Sequence, residues 1–172
     1  MGKRFRIALL IFVIAAIILI GMNFESITGM SIQQSSENTN LNEIKKLIES
    51  STDEQIAEQF DERFVVYLLR NINAQELHNL PLTSNYPRLE LIFGDKVFNA
   101  NVIDGKIYVD NGEIENEDVV IFTNMEEAIK MVRDSRYVAE SFKQGRSGLK
   151  PVANKPELLG KGYLELYSSL AK

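Results

Sequence analysis

At 172 residues, with 45% hydrophobic residues, nine Phe and six Tyr, the chain can build the core of one domain and carry an appendage besides. It has no cysteine, which excludes disulfide scaffolds, cysteine-ligated zinc, thiol catalysis and lipidation of a cysteine. The net charge is −5; without Lys3, Arg4 and Arg6 there remain 16 basic against 24 acidic residues, a balance that repels nucleic acid and anionic headgroups.

The appendage comes first. Every residue from Ile7 to Ile20 is apolar, and the uncharged run continues through Phe24. Eighteen residues at about 1.5 Å each cover roughly 27 Å, against about 30 Å of hydrocarbon in a bilayer. Lys3, Arg4 and Arg6 precede the run and Glu25 follows it, which predicts a cytoplasmic N-terminus and an outer C-terminal part. A cleaved signal peptide is the alternative, but the run is long for one and no A-x-A-like site follows. Residues 1–24 therefore read as a single transmembrane signal anchor in the cell membrane. Residues 25–41 are rich in Ser, Thr, Asn and Gln without apolar periodicity and read as a flexible polar linker. Residues 42–172 are left as an extracytoplasmic domain.

This domain begins helically. Ile44, Leu47 and Ile48 share a face, and Ser51 or Thr52 followed by Glu54 or Gln55 is a capping-box arrangement. Ile56, Phe60, Phe64 and Leu68 then recur every four residues as one apolar stripe. Pro81 and Pro87 bound a loop. From Arg88 the period changes to two, in "RLELIF", "KVFNANVI", "KIYVD" and "DVVIFT". Gly94-Asp95, Asp104-Gly105 and Asn111-Gly112 punctuate these runs and predict tight turns, hence an antiparallel β-meander with one buried face. After Thr123 the helical period returns: Thr123 or Asn124 caps, and Ala128, Ile129, Met131 and Val132 follow. Tyr137, Val138 and Phe142 mark a further short helix stopped by Gly145. "GLKPVA" reads as a last strand, and Pro156 opens a last helix that Gly160 and Gly162 weaken. The fold class is α+β, with helices packed on one face of the sheet.

Candidate chemistry is sparse. His78 is the only histidine and has no nucleophile near it in sequence. The acidic run Asp110 to Asp118 places Gly112 too early for an EF-hand loop and alternates like a solvated edge. "GRSG" lacks the closing glycine of a nucleophile elbow, since position 149 is Leu, and no window supplies a phosphate loop. An enzyme would need two or more of His78, Ser147, Tyr163 and the acidic residues to converge in a cleft. Metal and cofactor are not implied, and the chain reads as non-catalytic.

From Val97 to Leu170 the order of motifs resembles the sterol carrier protein lipid-binding domain. "VIDGKIYV" stands where the family has a central Asp-Gly turn, and "DVVIFTNMEEAIKMV" where a strand enters a helix. "FKQGRSGLKPV" matches G-x-x-G-L-K before a last strand, and "PELLGKGYLELYSSL" the terminal helix. Asp134-Ser135 replaces a usual glycine, and "ANKPE" a usual Gly-Asp turn. The resemblance implies an α+β sandwich whose helices and sheet hold a lipid or other apolar molecule. The apolar residues expected to line such a pocket are Phe122, Met125, Ile129, Val132, Tyr137, Phe142, Leu159, Tyr163 and Leu166. The alternative is a structural or protein-interaction module of the cell envelope, with a filled core and no ligand cavity; no protein partner is indicated.

Overall fold

The computed structural model describes residues 41–170, so the expected anchor and all but the last residue of the expected linker lie outside the described residues. Three helices come first: α1 (Leu41–Ser50), α2 (Asp53–Gln59) and α3 (Glu62–Asn71). The capping box is present at α2: the Thr52 hydroxyl accepts the Gln55 N–H, and the Gln55 side chain accepts the Thr52 N–H. Ile56, Phe60, Phe64 and Leu68 are all buried. The stripe is broken once, because Phe60 turns extended and Asp61 caps a new helix by accepting the Arg63 N–H.

The sheet has five strands: β1 (Arg88–Phe93), β2 (Lys96–Ile103), β3 (Lys106–Asn111), β4 (Val119–Thr123) and β5 (Gly148–Pro151). Their order is β3-β2-β1-β4-β5. Gly94-Asp95 and Asp104-Gly105 close antiparallel hairpins, and Asp104 and Gly105 both take the positive φ that such a turn demands. The third turn does not. After Asn111-Gly112 the chain crosses to the free edge of β1, and β4 runs parallel to β1, with Leu89 opposite Val119 and Phe93 opposite Thr123. The sheet is therefore mixed, not the antiparallel meander that the sequence pattern predicts. The physical reason is that β1 is buried on its inner face and needs partners for the backbone groups of both edges. Asp118 locks this crossing: its N–H donates to the Arg88 carbonyl, and its carboxylate accepts the Arg88 N–H.

Four helices complete the fold: α4 (Met125–Arg133), α5 (Tyr137–Lys143), α6 (Lys155–Gly160) and α7 (Tyr163–Leu170). Asn124 caps α4 by accepting the Glu127 N–H. Where one terminal helix is expected there are two, since the chain breaks at Gly160-Lys161-Gly162 and Gly162 takes φ +85°.

Alternation along the strands puts Leu89, Leu91, Phe93, Ala100, Val109 and Ile121 on the buried face. There Leu91, Phe93 and Ile121 line a common space with Leu68 and Leu69 of α3, Met131 of α4 and Val138 of α5. Phe60, Phe64, Phe93 and Phe98 form a chain of stacked and edge-on rings at one end of this core. The opposite face, with Glu90, Ile92, Asn99, Tyr108 and Phe122, stays partly exposed. The described residues, 41–170, belong to one compact unit, and no helix among them is long and apolar enough to cross a membrane.

Candidate functional site

Between the sheet and its helices, the apolar space left is about 30 Å³, lined by Leu68, Ile72, Leu91, Ile121, Met131 and Phe142 among others. That is room for about one water molecule among apolar side chains, with the Thr123 hydroxyl, already bonded to Ser147, the single polar group in the lining. The core is filled. Larger apolar volume lies outside it, along α7.

The main groove measures about 440 Å³ and runs between the end of β5, α6 and α7. Its walls are Pro151, Ala153, Leu158, Leu159, Tyr163, Leu164 and Tyr167, with Lys155 at the rim. Tyr167 also borders an adjoining groove of about 320 Å³ formed by Phe142, Ser147, Gly148, Leu149 and Leu170, with Lys143 at its edge. Leu159 and Leu164 remain 48% and 56% exposed, a poor use of leucine unless something covers them. The helix explains this. A two-turn helix packing one face needs about three or four apolar residues, yet α7 carries five, Tyr163, Leu164, Leu166, Tyr167 and Leu170. Tyr163, Leu166 and Leu170 turn inward, and Leu164 and Tyr167 are left to the groove.

A buried polar cluster holds this element in place. The Lys161 ammonium donates to Asp118, Glu157 and Asn85 at 2.7, 3.0 and 3.0 Å. The second Asp118 oxygen accepts the Tyr163 hydroxyl at 3.0 Å. Burial, reinforced by the Asp118 charge, pushes the Tyr163 phenol well above its usual range, so it remains a donor. The Glu157 carboxyl is held below its usual range, chiefly by the Lys161 hydrogen bond. A basic residue inside "GKG" is read from sequence as solvated; here Lys161 has 0% exposure. The sequence signal is weak, since the partners Asn85 and Asp118 lie 76 and 43 residues away.

A second cluster sits beneath the adjoining groove. The buried Glu127 carboxylate accepts from Ser141 at 2.7 Å, Tyr137 at 3.0 Å, Arg146 at 3.1 Å and Lys130 at 3.2 Å. Ser141 meets Ser147 at 2.8 Å, and Ser147 donates to Thr123 at 2.7 Å. These contacts tie α4, α5 and the approach to β5 together.

Of the residues expected to line one pocket, Leu159 and Tyr163 meet in the main groove and Phe142 lines the adjoining one. Leu166 lies on the other flank of α7, in a more polar cleft of about 260 Å³ that also holds Leu159, His78, Gly162 and Glu165. Ile129 and Val132 are core residues, Met125 packs against that core, and Tyr137 belongs to the Glu127 cluster. Phe122 stands on the open sheet face, 47% exposed, with its ring where a Gly148 Cβ would be. Leu158, Leu164 and Tyr167 complete the groove without having been singled out as lining residues. His78, exposed beside Gly162, shares the polar cleft with Glu76 and Glu165, and Tyr163 meets Asp118, whereas Ser147 is enclosed with Ser141 and Thr123 and does not converge with His78. Among the described residues no group of three or more His, Asp or Glu is placed to hold a metal ion.

No protein-family model matches the chain, and no curated protein matches it. Several solved structures are similar to part of the chain. A palmitated sterol carrier protein 2-like 2 from Aedes aegypti is 18% identical, with 56% of this chain and 90% of that one covered and a TM-score of 0.37. A UbiJ-SCP2 ubiquinone synthesis protein is 8% identical over 67% of this chain and 96% of its own, also with a TM-score of 0.37. A sec-alkyl sulfatase is 16% identical over 52% of this chain, which spans 14% of the sulfatase, with a TM-score of 0.36. All three TM-scores are below 0.5, and the functional reading rests on the geometry of this chain.

Proposed function

We propose that the chain is a membrane-tethered, extracytoplasmic domain that holds the apolar part of a lipid or other hydrophobic molecule, without catalysis, in the groove beside α7. The observation that carries this reading is the groove of about 440 Å³ with Leu159 and Leu164 half exposed in its wall. Its size falls in the range of about 300–1,000 Å³ typical of small-molecule sites. Burial of apolar surface would drive binding at about 25 cal/mol per Å². The N-terminal run 7–24 would keep the domain beside its ligand pool.

The test uses residues 35–172, the compact unit that contains the entire described core. Native mass spectrometry of this fragment should show a bound apolar molecule, and delipidated fragment should take up a fluorescent fatty acid. Absence of both results would sink the proposal.

One observation favours the alternative, a structural or protein-interaction module. Phe122 on the open sheet face lies in register beside Ile92, which in turn faces Val97. These three residues make an apolar row across β4, β1 and β2. In that reading the fragment takes up no lipid, and Phe122→Ser weakens an envelope partner's association.

A further inference from the structure

The groove's rim differs in charge from the rest of the domain. Residues 41–170 carry 22 acidic and 15 basic residues, yet between Glu140 and Glu157 there is no acidic residue and there are four basic ones, Lys143, Arg146, Lys150 and Lys155. Arg146 is occupied by Glu127 and Glu140. The three lysines are exposed, and none of the ion pairs formed among the described residues involves them. Lys155 edges the main groove and Lys143 the adjoining one, while Lys150, opposite Val120 on β5, belongs to the open sheet face beside them. The carboxylates close to them in the chain are engaged or turned away: Glu140, one turn before Lys143, pairs with Arg146, Glu157 is committed to Lys161, and Glu165 lines the cleft on the other flank of α7. Val152 in this stretch and Leu159 and Leu164 in the groove wall are each about half exposed.

We propose that this rim is a docking face for an anionic lipid bilayer, which seats the mouth of the groove against the headgroups. The chemistry distinguishes a bilayer from a protein partner. The free cations are all lysines, which act as mobile point charges toward a diffuse negative surface, whereas the one arginine, suited to bidentate pairing, is tied up internally. Leucines interleaved with lysines enter the boundary between headgroups and acyl chains, and each lysine strengthens attachment to an anionic leaflet about fivefold. The negative charge on the remainder of the domain repels that leaflet, so the basic rim sets the orientation. A spacer of the 17 residues expected between anchor and domain would have a root-mean-square reach of roughly 20–25 Å if it behaved as a flexible chain. The proposal shares the membrane tether with the proposed function but does not require that the groove hold a ligand.

The test uses the full chain, whose lack of cysteine makes a single introduced thiol unique. Leu164→Cys carries an environment-sensitive fluorophore, and Glu113→Cys, beyond the end of β3 at the opposite sheet edge, serves as the reference. The chain is reconstituted into nanodiscs of phosphatidylcholine, alone or with phosphatidylglycerol, each containing doxyl-labelled lipid as quencher. Should the N-terminal segment not insert, vesicles of the same compositions are added from outside. The label at 164 should be quenched and blue-shifted, more so with phosphatidylglycerol, while the label at 113 stays unquenched. Lys143→Glu with Lys155→Glu should lower the bound fraction more than tenfold on the anionic surface. Equal quenching at 164 and 113, or quenching at 164 that ignores lipid charge and the lysine reversals, overturns the proposal. Fatty-acid uptake by the same variants separates a failure of docking from a failure of ligand binding.

Discussion

Lys161 Nζ stands 2.7 Å from Asp118 Oδ1, with side-chain exposures of 1% and 3%. Each of the three ammonium protons has its own acceptor in Asp118, Glu157 and Asn85. The remaining Asp118 oxygen receives the Arg88 N–H and the Tyr163 hydroxyl. A buried ion pair repays its desolvation only when its hydrogen-bonding capacity is used up in this way. Because Lys161 is the junction of α6 and α7 and Asp118 precedes β4, the pair fastens both walls of the main groove to the sheet.

Breaking this pair should cost more than its net attraction suggests. Lys161→Met leaves Asp118 buried and short of a partner, a situation worth about 3–5 kcal/mol of lost stability. Urea unfolding should show the midpoint fall with little change in slope. Combining it with Asp118→Asn should restore part of the loss, since no uncompensated charge then stays inside. A double variant as unstable as the sum of the singles would count against the pair as the source.

Gly162 gives a second stability test. Its φ of +85° suits glycine and strains other residues, and an added Cβ would lie 3.5 Å from His78 Nε2, so the space itself is free. Gly162→Ala should therefore cost about 1–2 kcal/mol from backbone strain alone. Gly145→Ala, at φ +71° with nothing within 4 Å, should cost a similar amount. Thermal melts of both variants check this, and no loss at either position would refute the strain argument.

The local elements of this fold are legible in the sequence, and the long-range ones are not. The Thr52 capping box, the Asp104-Gly105 turn and the alternation in β2 each depend on neighbours within a few positions. The crossing of β4 to the free edge of β1 depends on Asp118 finding Arg88 across 30 residues, and an Asn-Gly pair before it imitates a hairpin. The same limit hides the groove. The apolar side chains that line it, among them Leu158, Leu159 and Leu164, look identical in sequence to Ile129 and Val132, which fill the core. Only the break at Gly160-Lys161-Gly162 decides which of them turn outward, and Lys161 reads as a surface residue until Asp118 is beside it.

Ligand uptake should depend on the exposed leucines and not on the core. A leucine side chain transferred from water into contact with an apolar ligand contributes about 1.5–3 kcal/mol. Leu164→Asp should thus weaken binding of a fluorescent fatty acid tenfold or more while unfolding stays within about 0.5 kcal/mol of the parent. Phe122→Ser, on the opposite sheet face, should leave uptake unchanged. Loss of uptake in the Phe122 variant and not in the Leu164 variant would relocate the site.

The Glu127 cluster should make the domain sensitive to acid. Burial alone would raise this carboxyl, but hydrogen bonds from Ser141, Lys130 and Tyr137 and the charge of Arg146 outweigh it, leaving the folded value below the ordinary 4.5. A carboxyl depressed in the folded state binds its proton more readily when unfolded. Its stabilisation is therefore fully present above about pH 4.5 and is lost as pH falls through the lower, folded value. Glu157, depressed mainly by Lys161, acts in the same direction and over the same window. Melting temperature should be level from neutral pH down to about 5 and then decline. Glu127→Gln should melt lower than the parent at neutral pH, because it gives up charge-assisted bonds from Lys130 and Arg146, and the gap should close in acid as the parent's carboxylate is protonated. Parallel pH profiles for the two proteins would show that Glu127 is not the titrating group, and a profile that rises toward acid would reverse the assigned sign.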